Sequence, residues 1–328
     1  MAMIYKKVDK IKEEISAIGI GCWNFGGDWD SSEEINSIKI IHAAVDAGIN
    51  LFDVAPVYGF GVSERVLGKA LKEGKREKVL IASKCGLLWN EKHETRNNLT
   101  KESILKEIDQ SLKRLQTDYI DIYQLHWPDP NTSIEETVSA LEEIKKAGKI
   151  RYIGLSNFCK DDIEKFMFMI EINTLQALYN MLERNTDSYH EIPLNYKTEE
   201  EILPLAKKNG QMFLPYSPLF QGLLTGKFTK GKNFSEKDIR NANPKLNGDK
   251  FNTYYEGALQ LSKFANEIGR PLNEIALNWL RQNDAVTSII GGASSLAQLE
   301  KNIHSTTWDL TQDELAQIEL IIKPFEIL

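Results

Sequence analysis

The feature that most constrains this fold is a regular alternation of short apolar runs with longer amphipathic segments. Segments such as 133–149 place apolar residues every three or four positions, as an amphipathic helix requires. Strands that alternate with helices form a parallel sheet, and eight such units predict closure into a (β/α)₈ TIM barrel. The predicted strands are 18–23, 50–54, 78–84, 119–126, 152–157, 175–180, 211–217 and 286–292.

An open, doubly wound sheet is the alternative architecture for this pattern. Such a sheet, when it binds a dinucleotide, usually carries a GxGxxG turn between its first strand and first helix. Here Gly19 and Gly21 lead into an apolar and aromatic stretch instead. The barrel is therefore the favoured fold class.

Two segments depart from the repeat. Residues 3–17 are predicted to form an N-terminal β-hairpin that caps the bottom of the barrel. Residues 218–256 are predicted to form a long polar loop insertion after strand 7, and long loops in compact domains usually cover a binding site. Neither segment has the composition of a linker, so we expect residues 1–328 to form one domain.

Charge and cysteine content narrow the class of function. The net charge of −7 and the lack of a long Lys/Arg run argue against nucleic acid and anionic membranes as partners. No stretch approaches the roughly 18 apolar residues of a spanning helix, and the charged N-terminus does not resemble a signal peptide. Three cysteines without CxxC spacing indicate neither a disulfide framework nor a zinc site. We expect a cytoplasmic protein with a small-molecule substrate and no metal.

Ionisable residues end three neighbouring predicted strands. Asp53 ends the second strand, Lys84 the third and His126 the fourth, while Tyr58 follows in the loop after Asp53. Active sites of barrel enzymes lie where the carboxyl ends of the strands converge. A nearby ammonium is expected to lower the phenol pKa from its usual value of about 10. The group predicts a proton donor for a carbonyl that accepts a hydride, with the imidazole orienting the carbonyl.

Long motifs around these residues resemble those of the aldo-keto reductase family, in the branch of bacterial members and potassium-channel β subunits. The resemblance implies that Tyr58 is the general acid, that Lys84 and Asp53 lower its pKa, and that His126 orients the substrate carbonyl. It also implies a nicotinamide cofactor that binds across the top of the barrel without a Rossmann domain. The motifs are residues 49–71, 83–86, 118–130, 137–158, 215–228 and 291–302.

The resemblance further implies cofactor-binding residues for each part of the nicotinamide dinucleotide. The implied residues are Ser156, Asn157 and Gln176 for the carboxamide, Tyr216 for stacking on the nicotinamide ring, Ser217, Leu219, Gln221, Gly222 and Lys227 for the pyrophosphate, and Ser294, Gln298 and Asn302 for the adenosine end. Many members carry Lys or Arg near the positions of Ser294 and Gln298 to pair with a 2′-phosphate, and this chain does not. Members related to the channel β subunits have a similar arrangement and bind NADPH, and Arg240 offers positive charge from the insertion. NADP(H) is therefore the favoured cofactor, with NAD(H) as the alternative.

The predicted function is NAD(P)H-dependent reduction of aldehydes and ketones, or oxidation of the matching alcohols or sugars. Trp23, Trp89 and Trp127 are predicted to wall the substrate site. A cofactor-sensing subunit with little turnover is the alternative, although a complete catalytic set argues against it. A Schiff-base lyase that uses Lys84 is a third hypothesis, but a lysine beside a carboxylate tends to stay protonated.

Overall fold

A computed structural model of the chain describes residues 3–27, 33–229, 234, 238–247 and 250–325. Eight strands, all parallel to their neighbours, form one sheet in the order β7-β6-β5-β4-β3-β2-β1-β8. They are β1 (Ile18–Gly21), β2 (Leu51–Asp53), β3 (Leu80–Cys85), β4 (Ile120–Leu125), β5 (Ile150–Ser156), β6 (Thr174–Leu178), β7 (Met212–Tyr216) and β8 (Ile289–Gly291). Each of the eight predicted runs overlaps one of these strands, and β3, β5 and β6 extend one or two residues beyond their predicted runs.

The seam between β7 and β8 is bridged just before β8 begins. The Thr287 backbone N–H donates to the Phe213 carbonyl at 3.0 Å, and the Phe213 N–H donates to Thr287 Oγ1 at 3.1 Å. The sheet therefore forms a nearly closed barrel, which confirms the predicted fold class.

Helices follow the strands along the chain. They are α1 (Glu34–Asp46), α2 (Val62–Ala70), α3 (Lys101–Leu115), α4 (Ile134–Lys146), α5 (Lys160–Met169), α6 (Leu203–Lys208), α7 (Pro244–Asn247), α8 (Phe251–Glu267), α9 (Leu272–Gln282), α10 (Leu296–His304) and α11 (Gln312–Ile322). Helix α3 illustrates how the sequence sets their bounds. The Thr100 side chain accepts a hydrogen bond from Ser103 N at the start of α3, and Ile104 and Ile108 are fully buried along one face.

The N-terminal hairpin closes the amino-terminal end of the barrel. Strands Tyr5–Val8 and Ile11–Ser16 pair antiparallel, and Ile11 and Ile15 are buried in a cluster with barrel-interior side chains. That cluster includes Leu51, the first residue of β2. The predicted hairpin cap is confirmed.

The predicted insertion is only partly a loop. Tight turns occupy Phe220–Thr225 and a short 3₁₀ helix occupies Ile239–Ala242, while residues 230–233, 235–237 and 248–249 of the insertion lie outside the described residues. Helix α8 begins at Phe251, so the prediction of a loop through residue 256 was wrong at its end. The reason is that Tyr254 and Ala258, one turn apart, pack into the core.

A buried ion pair attaches the insertion to the loop after β6. Lys245 Nζ in α7 lies 2.9 Å from Glu183 Oε1, and both side chains are 2% exposed. The same ammonium donates to Thr186 Oγ1 and to the Ser188 carbonyl, each at 2.6 Å. These contacts hold α7 and the loop after β6 together.

In the part of the chain that the structure describes, we find no helix with the length and apolar character needed to cross a bilayer.

Candidate active site

Lys84 and Asp53 meet inside the barrel because they lie on the adjacent strands β3 and β2. Lys84 Nζ lies 2.8 Å from each oxygen of Asp53, and the two side chains are 0% and 4% exposed. The ammonium also donates to the Val54 carbonyl and to Tyr58 Oη, both at 3.2 Å. Since Tyr58 accepts from Lys84, its own O–H is available to donate to a different acceptor.

The phenol of Tyr58 is held in its neutral form. Burial raises the pKa of Tyr58 well above 10, and the negative charge of Asp53 acts in the same direction. The expectation of a Tyr58 pKa below 10 was therefore wrong for this structure, although the Lys84 charge itself favours the phenolate. The physical reason is that Asp53 offsets the charge of Lys84, while burial penalises a phenolate.

Burial also shifts the pKa values of Lys84 and His126. Burial lowers the pKa of Lys84, against the opposing effect of Asp53. Burial lowers the pKa of His126 well below 6.5, and the charge of Lys84 adds to that effect. The His126 ring packs edge-on against Tyr58, with centroids 5.9 Å apart. The neutral imidazole at pH 7 keeps one N–H donor beside the phenol.

Two buried glutamines extend the polar cluster beneath Tyr58. Gln176 Nε2 donates to Asp53 Oδ1 at 2.8 Å, and Gln124 Nε2 lies 3.5 Å from the same oxygen. Gln124 was not predicted, although it lies in β4 two residues before His126 and alternation along the strand directs both side chains to the same side. Gln176 was predicted as a carboxamide ligand, and here its amide also positions the carboxylate that holds Lys84.

The Asn157 side chain forms hydrogen bonds with several neighbouring residues of the predicted carboxamide site. It has a left-handed backbone, with φ of 65°, and its Nδ2 donates to Ser156 Oγ and to the His126 carbonyl, both at 3.1 Å. Its Oδ1 accepts from the phenol of Tyr216 at 2.8 Å and from that of Tyr196 at 2.9 Å. Because the His126 carbonyl can only accept, Nδ2 must face it, and this fixes the direction of the Asn157 amide. Tyr196 was missed because it lies in an irregular stretch without a periodic pattern.

The loop after β7 turns repeatedly through left-handed backbone conformations. Residues Ser217, Phe220, Gln221 and Gly222 have φ of 53°, 47°, 50° and 103°. Successive N–H groups in such turns form concave anion sites, so the loop suits a pyrophosphate. The Leu219 carbonyl closes the turn by accepting from the Gly222 N–H at 2.9 Å.

Two cations belong to the same region. Lys227 is exposed just after this turn. Arg240 forms an ion pair with the buried carboxylate of Asp238, and its guanidinium lies 4.2 Å from the centroid of the Phe234 ring. The charge of Arg240 is therefore shared with Asp238.

Of the residues predicted for the adenosine end, Ser294 and Gln298 lie together at the start of α10, and Asn302 lies in its last turn. Ser294 donates to Gln298 Oε1 from its backbone N–H at 2.8 Å and from its hydroxyl at 2.9 Å. Asn302 Nδ2 donates to the Gly292 carbonyl at 3.1 Å. The Ser294–Gln298 pair is neutral.

The three predicted substrate tryptophans occupy different places. Trp23 stacks on Tyr58, with centroids 5.9 Å apart and an interplanar angle of 27°. Trp127 directly follows His126 and packs partly buried against the core. Trp89 packs against Phe60 and lines a groove along α3.

Ring contacts continue from Tyr58 around the mouth of the barrel. Trp23 contacts His190 with centroids 6.2 Å apart, His190 contacts Tyr189 at 4.5 Å, and Tyr189 contacts Tyr216 at 5.2 Å. The hydrogen bonds of Asn157 with Tyr216 and with the His126 carbonyl complete a closed ring of contacts. We call this set the mouth ring: Trp23, Tyr58, His126, Asn157, Tyr216, Tyr189 and His190. No sequence pattern indicated Tyr189 or His190, because they lie in a short ribbon between β6 and α6.

Comparisons with known proteins agree with this geometry. The profile of the Aldo/keto reductase family matches residues 17–323. The chain is 40% identical to aldo-keto reductase YhdN of Bacillus subtilis, covering 98% of this chain and 94% of that protein. It is 34% identical to an NADH-specific methylglyoxal reductase of Escherichia coli, covering 90% and 91%. The structure of the glycerol dehydrogenase AKR11B4 from Gluconobacter oxydans superposes with a TM-score of 0.85 at 33% identity, covering 99% and 97%.

Proposed function

This chain belongs to the aldo/keto reductase family, and we propose that it is an NAD(P)H-dependent reductase of small aldehydes and ketones with Tyr58 as general acid. One observation carries the proposal. The Lys84 ammonium is fixed by Asp53 and lies 3.2 Å from Tyr58 Oη, beside the His126 ring. An ion pair with a purely structural role would not require a phenol and an imidazole beside it at the carboxyl ends of the strands.

The residues at the mouth of the barrel fit a nicotinamide dinucleotide. Ser156 and Asn157 bring a hydroxyl and an amide together, as a carboxamide requires. The left-handed backbone at Ser217 and Gln221 gives this loop the turn geometry that suits a pyrophosphate. When bound, a reduced nicotinamide would supply the hydride.

In the proposed mechanism, Tyr58 and His126 act on the carbonyl oxygen of the substrate. The neutral imidazole of His126 donates a hydrogen bond that orients the carbonyl. As the carbonyl carbon accepts the hydride, the Tyr58 O–H transfers its proton to the oxygen, which gives the alcohol. Lys84 stabilises the phenolate that remains until a proton from solvent restores it.

We propose that the substrates are three-carbon carbonyl compounds with a second oxygen on the carbon next to the reacting one. The names of two relatives, a methylglyoxal reductase and a glycerol dehydrogenase, point to such molecules. The test is to follow the absorbance of NADPH and NADH with a panel of aldehydes and ketones. Turnover of the three-carbon members is expected. Tight cofactor binding without turnover across the panel would instead favour a cofactor-sensing subunit.

The pH profile of carbonyl reduction is expected to be flat over an unusually wide range. Reduction needs protonated Tyr58, and a raised pKa keeps an acid protonated to higher pH. The orienting donor His126 also keeps one protonation state over this range, because a lowered pKa keeps an imidazole neutral to lower pH. The value of kcat should therefore stay constant from about pH 6.5 to about pH 10. A fall in kcat centred between about pH 7 and pH 9 would contradict the assignment of Tyr58.

We propose that NADPH binds more tightly than NADH, by a small margin. The small margin reflects the neutral Ser294–Gln298 pair and the sharing of the Arg240 charge with Asp238. Gln298→Arg is expected to raise the ratio of NADPH to NADH affinity by roughly tenfold or more, since it adds a charge-assisted bond to the 2′-phosphate. Fluorescence titration with each cofactor measures the ratio.

A matched variant separates this effect from added charge in general. Gln312→Arg adds the same charge at the exposed start of α11 and should leave the ratio unchanged. An equal rise in both variants would show that the adenosine end does not lie at Ser294 and Gln298.

A further inference from the structure

We propose that His190 determines substrate specificity by donating a hydrogen bond to the substrate oxygen next to the reacting carbonyl. This inference rests on the function proposed above. It assigns a hydrogen-bond donor in this chain to the second oxygen of the proposed substrates. It is carried by the place of His190 in the mouth ring and by the hydrogen bond that fixes its ring nitrogens.

His190 occupies a strained two-residue turn. Ser188–Tyr189 pairs antiparallel with Ile192–Pro193, and the turn residues His190 and Glu191 have φ of 49° and 67°. Two successive non-glycine residues with positive φ are costly, and such strain is concentrated at functional sites. The turn holds the His190 ring against Trp23, which itself stacks on Tyr58.

The contacts of Gln221 determine which nitrogen of His190 carries the hydrogen. Gln221 Oε1 accepts from Asn243 Nδ2 at 3.0 Å, so the amide Nε2 of Gln221 faces Tyr189 Oη and His190 Nε2. An amide nitrogen donates, and His190 Nε2 is therefore the acceptor. Burial and the charge of Lys245 lower the pKa of His190 to about 4, which keeps the ring neutral at pH 7. A neutral ring with an accepting Nε2 carries its hydrogen on Nδ1.

His190 therefore supplies a neutral donor to the mouth ring, one aromatic ring away from the general acid. The ring centroids of His190 and Trp23 are 6.2 Å apart, and those of Trp23 and Tyr58 are 5.9 Å apart. His190 is half-buried, and a hydroxyl or carbonyl oxygen suits its donor better than a methyl group, because an alkyl group that covers the donor removes its hydrogen bond to water without replacing it. The structure thus favours substrates with oxygen on the neighbouring carbon over plain alkyl aldehydes.

Two conservative variants separate substrate recognition from support of Gln221. His190→Asn keeps an N–H donor near the position of Nδ1 but removes the acceptor for Gln221, and asparagine tolerates positive φ. His190→Gln keeps an acceptor near the position of Nε2 but removes the Nδ1 donor. His190→Gly removes both groups and relieves the strain of the turn, so it controls for turn geometry.

The readout is the ratio of kcat/KM for glyceraldehyde to kcat/KM for propanal, two three-carbon aldehydes that differ in their hydroxyl groups. His190→Gln and His190→Gly are each expected to lower this ratio by about five- to tenfold, the effect of one hydrogen bond. His190→Asn is expected to keep the wild-type ratio.

Other results would overturn the proposal in recognisable ways. A loss with asparagine but not with glutamine would mean that His190 only supports Gln221. A loss in all three variants, a loss in none, or a wild-type ratio near one would also reject the role in specificity. Failure of the proposed function itself is distinct, because the wild-type protein would then reduce neither aldehyde.

Discussion

Tyr58→Phe is expected to lower kcat for carbonyl reduction by about a thousandfold, within the range ascribed to a general acid. The variant removes the hydroxyl that lies 3.2 Å from Lys84 Nζ and leaves the ring that packs between Trp23 and His126. Cofactor binding should therefore survive. Steady-state rates together with fluorescence titration of the cofactor measure both quantities on the same protein.

Tyr189→Phe is the matched control for this prediction. Tyr189 is also in the mouth ring, and its hydroxyl lies 3.5 Å from Ser217 Oγ and 3.4 Å from Gln221 Nε2. Removing that hydroxyl should reduce kcat far less than Tyr58→Phe does. Wild-type turnover in Tyr58→Phe would mean that the proton comes from another group.

Lys84→Met is expected to abolish turnover and to lower the free energy of unfolding by about 3–5 kcal/mol. The variant leaves the carboxylate of Asp53 buried without its ammonium partner, and the Lys84 side chain is 0% exposed, so solvent does not screen the loss. Urea denaturation followed by circular dichroism measures the change in stability.

The double variant Asp53→Asn with Lys84→Met separates stability from catalysis. Removing both charges leaves no unpaired ion, so the double variant should be more stable than Lys84→Met alone. Turnover should stay abolished, because the phenol has lost the cation that stabilises its phenolate. Strictly additive losses of stability would contradict the coupling of Asp53 and Lys84.

The barrel and the predicted catalytic cluster were accessible from the sequence because both follow from strand periodicity. Asp53 and Lys84 lie in strands β2 and β3, and His126 directly follows β4, so parallel pairing alone brings them to one end. Tyr58 follows within a short loop and has little room to lie elsewhere. For these residues, order along the chain determines proximity in space.

Other properties of the site depend on how far a side chain is buried and on how the loops pack. Neither can be predicted from a short stretch of sequence. The direction of the Tyr58 pKa shift is set by desolvation of the phenol together with the charge of Asp53, whereas the adjacent Lys84 alone predicted the opposite direction. Tyr189, His190 and Tyr196 come from the irregular chain between β6 and α6. Their positions depend on contacts between residues far apart in sequence, such as Lys245 with Ser188.

The Lys245–Glu183 ion pair also sets a condition for redesign of this enzyme. Grafting the loop after β6 from a relative, to change which substrates are accepted, would exchange Glu183 and the groups around it while leaving the lysine in place. A transplanted loop without a matching carboxylate would leave the buried ammonium of Lys245 in α7 without a partner. The loop and α7 therefore form one exchangeable module, and swapping them together is the route that keeps the fold intact.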